Sequence, residues 1–240
     1  MYDALDGLGE RWLSAPNEER SGVSHALTYR TPVELGTARL ADGTEAHTLS
    51  GTPVDCVKFG VLHLLDAPPD LIVSGPNPGI NVGVYVFYSG TVAAALEGAV
   101  LGVPAVAVST SRRNAGRTDA VAQQAVRVIR LLLHRERPAG SAFNVNIPPL
   151  DGVEPEVAWT SQSLAFWGGR YQPAEGAAQA RHYRLDPGAD RADRHAPDSD
   201  VAALAAGRIS VTPLRCDMTD RAALERLKGE AGQPGRNDSD

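Results

Sequence analysis

Three consecutive segments in the middle of the chain leave little choice of fold. DLIVSG (70–75) is a short apolar run with the pattern of a buried strand, SGTVAAALEGAVLG (89–102) reads as a helix, and VPAVAVS (103–109) is a second buried strand. Strands linked through a helix by short connections pair in parallel with a right-handed crossover, so a parallel sheet is required. Between the first strand and the helix lies SGPNPGINVGVYVFYSGTV (74–92), rich in glycine and free of charged residues. A loop there sits beyond the carboxyl end of a strand, where open α/β sheets bind their ligands.

The flanking sequence extends this unit. Ala4 to Trp12 reads as the end of a helix, and Leu13 begins a strand stub running into SAPNEERSGVSH. TPVELGTARL and EAHTLSG flank ADGT (41–44), whose Asp-Gly pair predicts a hairpin turn. Thr52, Pro53 and Asp55 form a helix start with a capping-box spacing, and the helix is expected from Pro53 to Leu65, ending before Pro68-Pro69. DAVAQQAVRVIRLLLHR (119–135) is a long amphipathic helix, FNVNIP (143–148) a strand, DSDVAALAAG (198–207) a helix and RISVTPL (208–214) a last strand. Residues 168–200 carry arginines among Asp, Pro, Gly and Ala with few apolar anchors, which predicts a hairpin-like excursion outside the core. The expected organisation is one α/β domain over 1–216, Rossmann-like and doubly wound with a mostly parallel sheet, then a C-terminal helix and tail over 217–240 that forms an arm.

Charge and composition narrow the function. A net charge of -6 argues against nucleic acid as a partner, which needs a basic face. It leaves room for a small anion held by one local loop. No apolar run is long enough for a membrane span, and the first residues lack the pattern of a signal peptide, so a cytoplasmic protein with no membrane partner is expected. The two cysteines, Cys56 and Cys216, fit a reducing compartment and are expected as small buried hydrophobes.

The loop chemistry can be read residue by residue. Glycines 75, 79, 83 and 90 let backbone N–H groups approach a ligand, and Ser89-Gly90-Thr91 opens a helix whose free N–H groups suit an anion. Asn77 and Asn81 offer amides for phosphate oxygens or, through their carbonyls, for a hard cation. Read as a structural feature alone, the same stretch is a glycine-rich turn with a Ser/Thr helix cap. Of the histidines, His25 lies four residues after Ser21, close to the site without being part of it, and Glu97 on the following helix either faces the pocket or is buried.

SGPNPGINVGVYVFYSGTVAAALEG resembles the SurE family of metal-dependent 5′/3′-nucleotidases, as do SAPNEERSGVSHALT (14–28), GTPVDCVKFG (51–60) and GRISVTPL (207–214), in the family's order over most of the chain. The resemblance implies a metal-dependent phosphomonoesterase acting on nucleoside 5′- and 3′-monophosphates. It implies a divalent cation, Mg or Mn, with Ser21 and Asn77 among its ligands. Gly22, Asn81, Ser89, Gly90 and Thr91 then hold the phosphate. It also implies a homodimer or homotetramer with the excursion and tail exchanged between subunits.

One departure matters. The family's paired metal-binding aspartates stand in an Asn-Asp-Asp-Gly turn, and that tetrapeptide occurs nowhere in this sequence. Asp3 and Asp6 do not reproduce the pair and are expected as solvated acids. The expected site therefore lacks its anionic ligands, and the competing expectation is a non-catalytic relic that binds nucleotide or phosphate or acts only through its oligomer interface. A reading frame continuing upstream of Met1 into that turn would restore the whole site. Pro76 replaces the family's usual isoleucine and is expected to be tolerated.

Overall fold

A computed structural model describes residues 1–135, 140–164, 169–174, 182–186 and 195–231. The chain forms ten strands and five α-helices among these residues. Three strands, β1 (Ser14–Pro16), β2 (Leu35–Arg39) and β3 (Glu45–Leu49), make a small sheet in the order β1-β3-β2. The principal sheet has the order β4-β5-β6-β10-β7, from β4 (Ile72–Pro78), β5 (Ala105–Thr110), β6 (Ala142–Ile147), β7 (Val157–Trp159) and β10 (Ile209–Leu214). β4, β5 and β6 are parallel, while β10 runs antiparallel to β6 and parallel to β7. A separate hairpin pairs β8 (Arg170–Pro173) with β9 (Tyr183–Asp186).

The sequence of β5, AVAVST, explains how the sheet is covered on both faces. Side chains alternate along a strand. Val106 and Val108 join Val121, Ala125, Val128, Ile129 and Leu132 of α3 (Thr118–Leu133) in the larger core. Ala105 and Ala107 face the other way and pack with Val92 and Ala95 of α2 (Gly90–Val100). Small residues on both partners let α2 approach closely: a Cβ added to Gly98 would stand 2.8 Å from Ile72 Cδ1 and 3.2 Å from Ala105 Cβ. The doubly wound α/β architecture is therefore present, with β10 and β7 completing the sheet far along the chain.

Three local expectations change. Ala4–Trp12 is not helical beyond a single 3-10 turn at Asp3–Leu5, because Gly7 and Gly9 take positive φ (79° and 143°) and end it. The helix at Pro53 starts on the expected capping box, with Thr52 accepting from the Asp55 N–H and the Asp55 carboxylate accepting from the Thr52 N–H. Its α-helical part, α1, ends at Phe59, and Gly60–Leu64 continues as a wider π-type turn. Cys56 is buried as expected and its thiol is pushed up to about 11 by burial, but Cys216 is exposed. The ADGT turn, α3, β6 and β10 form where the sequence places them, and Ser199 caps the short α4 (Asp200–Ala205). The last helix, α5, spans Arg221–Ala231.

Candidate functional site

β4 does not run straight into its loop. Ser74 pairs with Ala107 but Asn77 pairs with Ser109, so the Gly75-Pro76 step is an extra residue in the ladder. Such bulges re-aim the side chains that follow. Gly75 is required there: its φ is 109°, and an added Cβ would lie 2.2 Å from the Val108 carbonyl oxygen. Beyond the bulge, Asn77 Nδ2 donates to the Gly79 carbonyl at 2.7 Å and Gly79 N–H donates to the Thr110 carbonyl at 2.9 Å. The Asn77 amide is thus fixed at the carboxyl ends of β4 and β5, with no partner for Oδ1 among the described residues.

Asn81 stands at the centre of a buried polar ladder. Its N–H donates to Asn146 Oδ1 (2.7 Å), its Nδ2 to Ser109 Oγ (2.8 Å), and its carbonyl accepts from Asn144 Nδ2 (2.7 Å) and Asn146 Nδ2 (3.2 Å). Ser109, Asn144 and Asn146 are all fully buried. Asn81 retains one amide hydrogen for a ligand. From the sequence, FNVNIP is expected only as a strand. Its two asparagines two apart, on one face of an apolar strand, were the available sign of this ladder.

From Asn81 the chain turns through Gly83–Tyr88, held at Gly83 by the buried Asp200. The Asp200 carboxylate accepts from the N–H groups of Gly83 (2.8 Å), Ser163 (3.0 Å) and Val201 (2.9 Å). Burial raises its carboxyl above the usual aspartate range in spite of these bonds. Ser89 then caps α2: its Oγ accepts from the Val92 N–H at 3.1 Å, which leaves the hydroxyl hydrogen to donate. The Ser89 carbonyl accepts from the Ala93 N–H, while the N–H groups of Gly90 and Thr91 have no acceptor among the described residues.

The segment carrying Ser21 and Gly22 is brought to this helix start. Ser24 donates from N–H to the Tyr88 carbonyl (3.1 Å) and from Oγ to the Phe87 carbonyl (2.6 Å). A Cβ on Gly90 would meet Val23 Cγ2 at 3.3 Å and the Arg20 carbonyl oxygen at 3.5 Å, so residues 20–23 rest directly on Gly90. Gly22 has φ 70° and is exposed, as is Ser21. His25 Nε2 lies 3.0 Å from Glu97 Oε2, and Lys58 Nζ donates to Glu97 Oε1 at 2.7 Å. Glu97 is therefore buried, and His25 pins the Ser21 segment to α2 instead of entering the pocket.

For a divalent cation, Ser21 and Asn77 are oxygen donors of the right hardness. Ser21 Oγ donates to Glu19 Oε1 at 2.6 Å, which puts one exposed carboxylate beside it. Asp3 and Asp6 are exposed, as expected, and Asp6 pairs with Arg11 at 3.2 Å. No three His, Cys, Asp or Glu side chains gather as a metal-binding group among the described residues. These residues alone do not fit a tight divalent site, because two neutral oxygens supply too little charge. A cavity of about 650 Å3 between Met1–Ala4 and α3 lies on the α3 face and is unconnected with this chemistry.

The sequence profile of the family "Survival protein SurE" matches residues 1–169, well over half the chain. The chain belongs to the SurE family. A 5'-nucleotidase SurE of Desulfatibacillum aliphaticivorans is 39% identical over 225 residues, covering 89% of this chain and 85% of the relative. Another, from Nitrosococcus oceani, is 38% identical over 234 residues, covering 95% and 90%. The SurE protein crystal structure from Aquifex aeolicus superimposes with a TM-score of 0.76 at 29% identity, covering 96% of this chain and 92% of the other. The SurE fold is thus shared along nearly the whole chain, beyond the end of the profile match at residue 169.

Proposed function

We propose that this SurE-family chain is a phosphomonoesterase that hydrolyses nucleoside 5′- and 3′-monophosphates to nucleoside and phosphate. The observation that carries the reading is the apposition of residues 20–24 and the start of α2. It surrounds two unpartnered N–H groups with a serine hydroxyl and a positive-φ glycine. Such a cradle suits a phosphate, and relatives at this level of identity carry the name 5'-nucleotidase.

In this reading the Gly90 and Thr91 N–H groups, the Ser89 hydroxyl, the Gly22 backbone and the spare Asn81 amide hydrogen hold the phosphoryl oxygens. They stabilise the charge that develops as the ester bond breaks. Ser21 and Asn77 would hold a divalent cation, Mg or Mn, only together with anionic ligands, and the described residues gather no such group. The bulge at Gly75 and the Asn77–Gly79 hydrogen bond keep the Asn77 carbonyl in place without substrate. A homodimer or homotetramer is part of the proposal, supported by the exposed apolar face of the β8–β9 hairpin.

The test is phosphate release from 5′-AMP, 3′-AMP and p-nitrophenyl phosphate by the full chain, with Mn2+ or Mg2+ and again after chelation. Release from both nucleotides above the enzyme-free blank is the expected result. Release no faster than the enzyme-free blank from all three esters overturns the reading.

A further inference from the structure

The cradle described so far is neutral, although a phosphate monoester brings about two negative charges at neutral pH. The cations around residues 20–25 and α2 are already engaged. Arg20 donates to the Ser50 carbonyl (3.0 Å) and lies 3.6 Å from Glu18, while Lys58 and His25 both face Glu97. One arginine on the opposite side of the loop is not. Arg112 opens the 3-10 turn that follows β5, is exposed, and its side chain has no hydrogen bond or ion pair among the described residues. Its neighbour Arg113 instead faces Asp151 at 3.9 Å.

The placement of Arg112 is built by the fold. Ser111 N–H donates to the Ile147 carbonyl, and Ser111 Oγ accepts from the Arg113 N–H. The buried Asn114 closes the turn from below: its Nδ2 donates to Thr110 Oγ1 and to the Pro148 carbonyl, both at 2.8 Å, and its Oδ1 accepts from the Leu150 N–H at 2.9 Å. Meanwhile Gly79 N–H donates to the Thr110 carbonyl, which draws the Asn77 bend against this turn. A single point, where a Cβ on Gly79 would stand, is 3.5 Å from Asn77 Nδ2, 3.6 Å from Arg112 Nε and 3.9 Å from an Arg112 terminal nitrogen. The guanidinium therefore hangs beside the Asn77 bend, at the carboxyl ends of β4 and β5, on a turn with little freedom to move.

We propose that Arg112 is a phosphate-binding residue: it closes the anion site from the β5 side and grips phosphoryl oxygens of a phosphate monoester. A guanidinium is always charged, and its planar fork matches two phosphoryl oxygens at once. On a chain of net charge -6 it also gives the site a local attraction for an anion that the molecule as a whole lacks. The identity of the ester rests on the nucleotidase reading above; the binding of the anion does not.

The experiment follows inorganic phosphate binding to the full chain by calorimetry, alongside KM for 5′-AMP and p-nitrophenyl phosphate. Arg112→Ala is expected to weaken phosphate binding about tenfold and raise KM for both esters by a similar factor, with partial recovery in Arg112→Lys. Added salt should weaken binding to the parent chain more than to Arg112→Ala. Arg113→Ala, which removes an equal charge one residue away, should leave phosphate binding unchanged. Phosphate bound as tightly by Arg112→Ala as by the parent overturns the proposal, as does an equal loss in Arg113→Ala or a parent chain that binds no phosphate. If neither ester is hydrolysed while phosphate binding still depends on Arg112, the nucleotidase reading falls and this one stands.

Discussion

Glu97 is 5% exposed and sits between partners supplied by two other segments, Lys58 on α1 and His25 on the loop that carries Ser21. Burial works to raise its carboxyl, but the hydrogen bonds and charges of His25 and Lys58 outweigh it and hold the group below the ordinary glutamate value. A depressed acid stabilises the fold above its unfolded value and loses that contribution as pH falls through its folded value. Glu97→Ala leaves Lys58 and His25 without their shared partner. Both are partly exposed and regain water, so a loss of about 2 kcal/mol is expected, below the range for a fully buried pair. Urea unfolding at pH 7 measures that difference, and it should shrink as pH falls below the ordinary glutamate value of about 4.3. A difference that is absent, or constant down to pH 3.5, would sink this account. In the sequence, Glu97 was equally a pocket residue and a buried one, because helical position does not reveal what two other segments bring to it. Ser21, Asn77, Ser89, Gly90 and Thr91 were candidates in the sequence because each belongs to a continuous local pattern. Arg112, Asn144 and Asn146 were not, since only the pairing of β4, β5 and β6 sets them beside the loop.

At the scale of elements, the same device serves two helices with different consequences. Ser89 caps α2 and Ser199 caps α4, each accepting from the N–H three residues on, at 3.1 Å and 3.2 Å. Replacing either by alanine is expected to cost about 1 kcal/mol, the ordinary loss of a serine cap. Only Ser89 has, beside it, the unpartnered N–H pair and the 20–24 segment. Ser89→Ala should therefore also raise KM for p-nitrophenyl phosphate several-fold, whereas Ser199→Ala should change melting without changing KM. Equal kinetic effects from the two would mean that the α2 start is a cap and no more. The elements themselves were largely legible because their signals are local: the Thr52 capping box, the Asp42-Gly43 turn, the two-sided alternation of β5. The bulge in β4 was not. Gly75-Pro76 reads as a break after the strand, yet the strand continues to Pro78, because Gly75 lets the backbone pass against the Val108 carbonyl and resume pairing at Asn77. Pro76 lies within that bulge, where a missing donor costs least.

For the whole molecule, the β8–β9 hairpin is the part that the fold of one chain does not explain. Its register pairs Tyr171 with Leu185 and Pro173 with Tyr183, so these residues share one face of the ribbon, while Arg170, Gln172, Arg184 and Asp186 share the other. The apolar face is uncovered: Tyr171 is 72%, Tyr183 60% and Leu185 54% exposed. A two-stranded ribbon is marginal in water by itself, and an apolar face of this kind is stable when something covers it. The arginines at 181, 191 and 194 of the sequence-predicted excursion lie outside the described residues, but Arg184 confirms that charge and apolar side chains are segregated across the ribbon. A second copy of the chain is the occupant that the proposed homo-oligomer makes available. Sedimentation velocity should then give a species of at least twice 25.3 kDa. Tyr183→Glu with Leu185→Glu should shift it toward the monomer, because two buried charges at an apolar contact are costly. The α/β core and the phosphate cradle lie elsewhere, so the doubly substituted chain should still melt cooperatively and still bind inorganic phosphate. A parent chain sedimenting at 25.3 kDa at micromolar concentration, or an assembly indifferent to both glutamates, would remove the hairpin from any role in association.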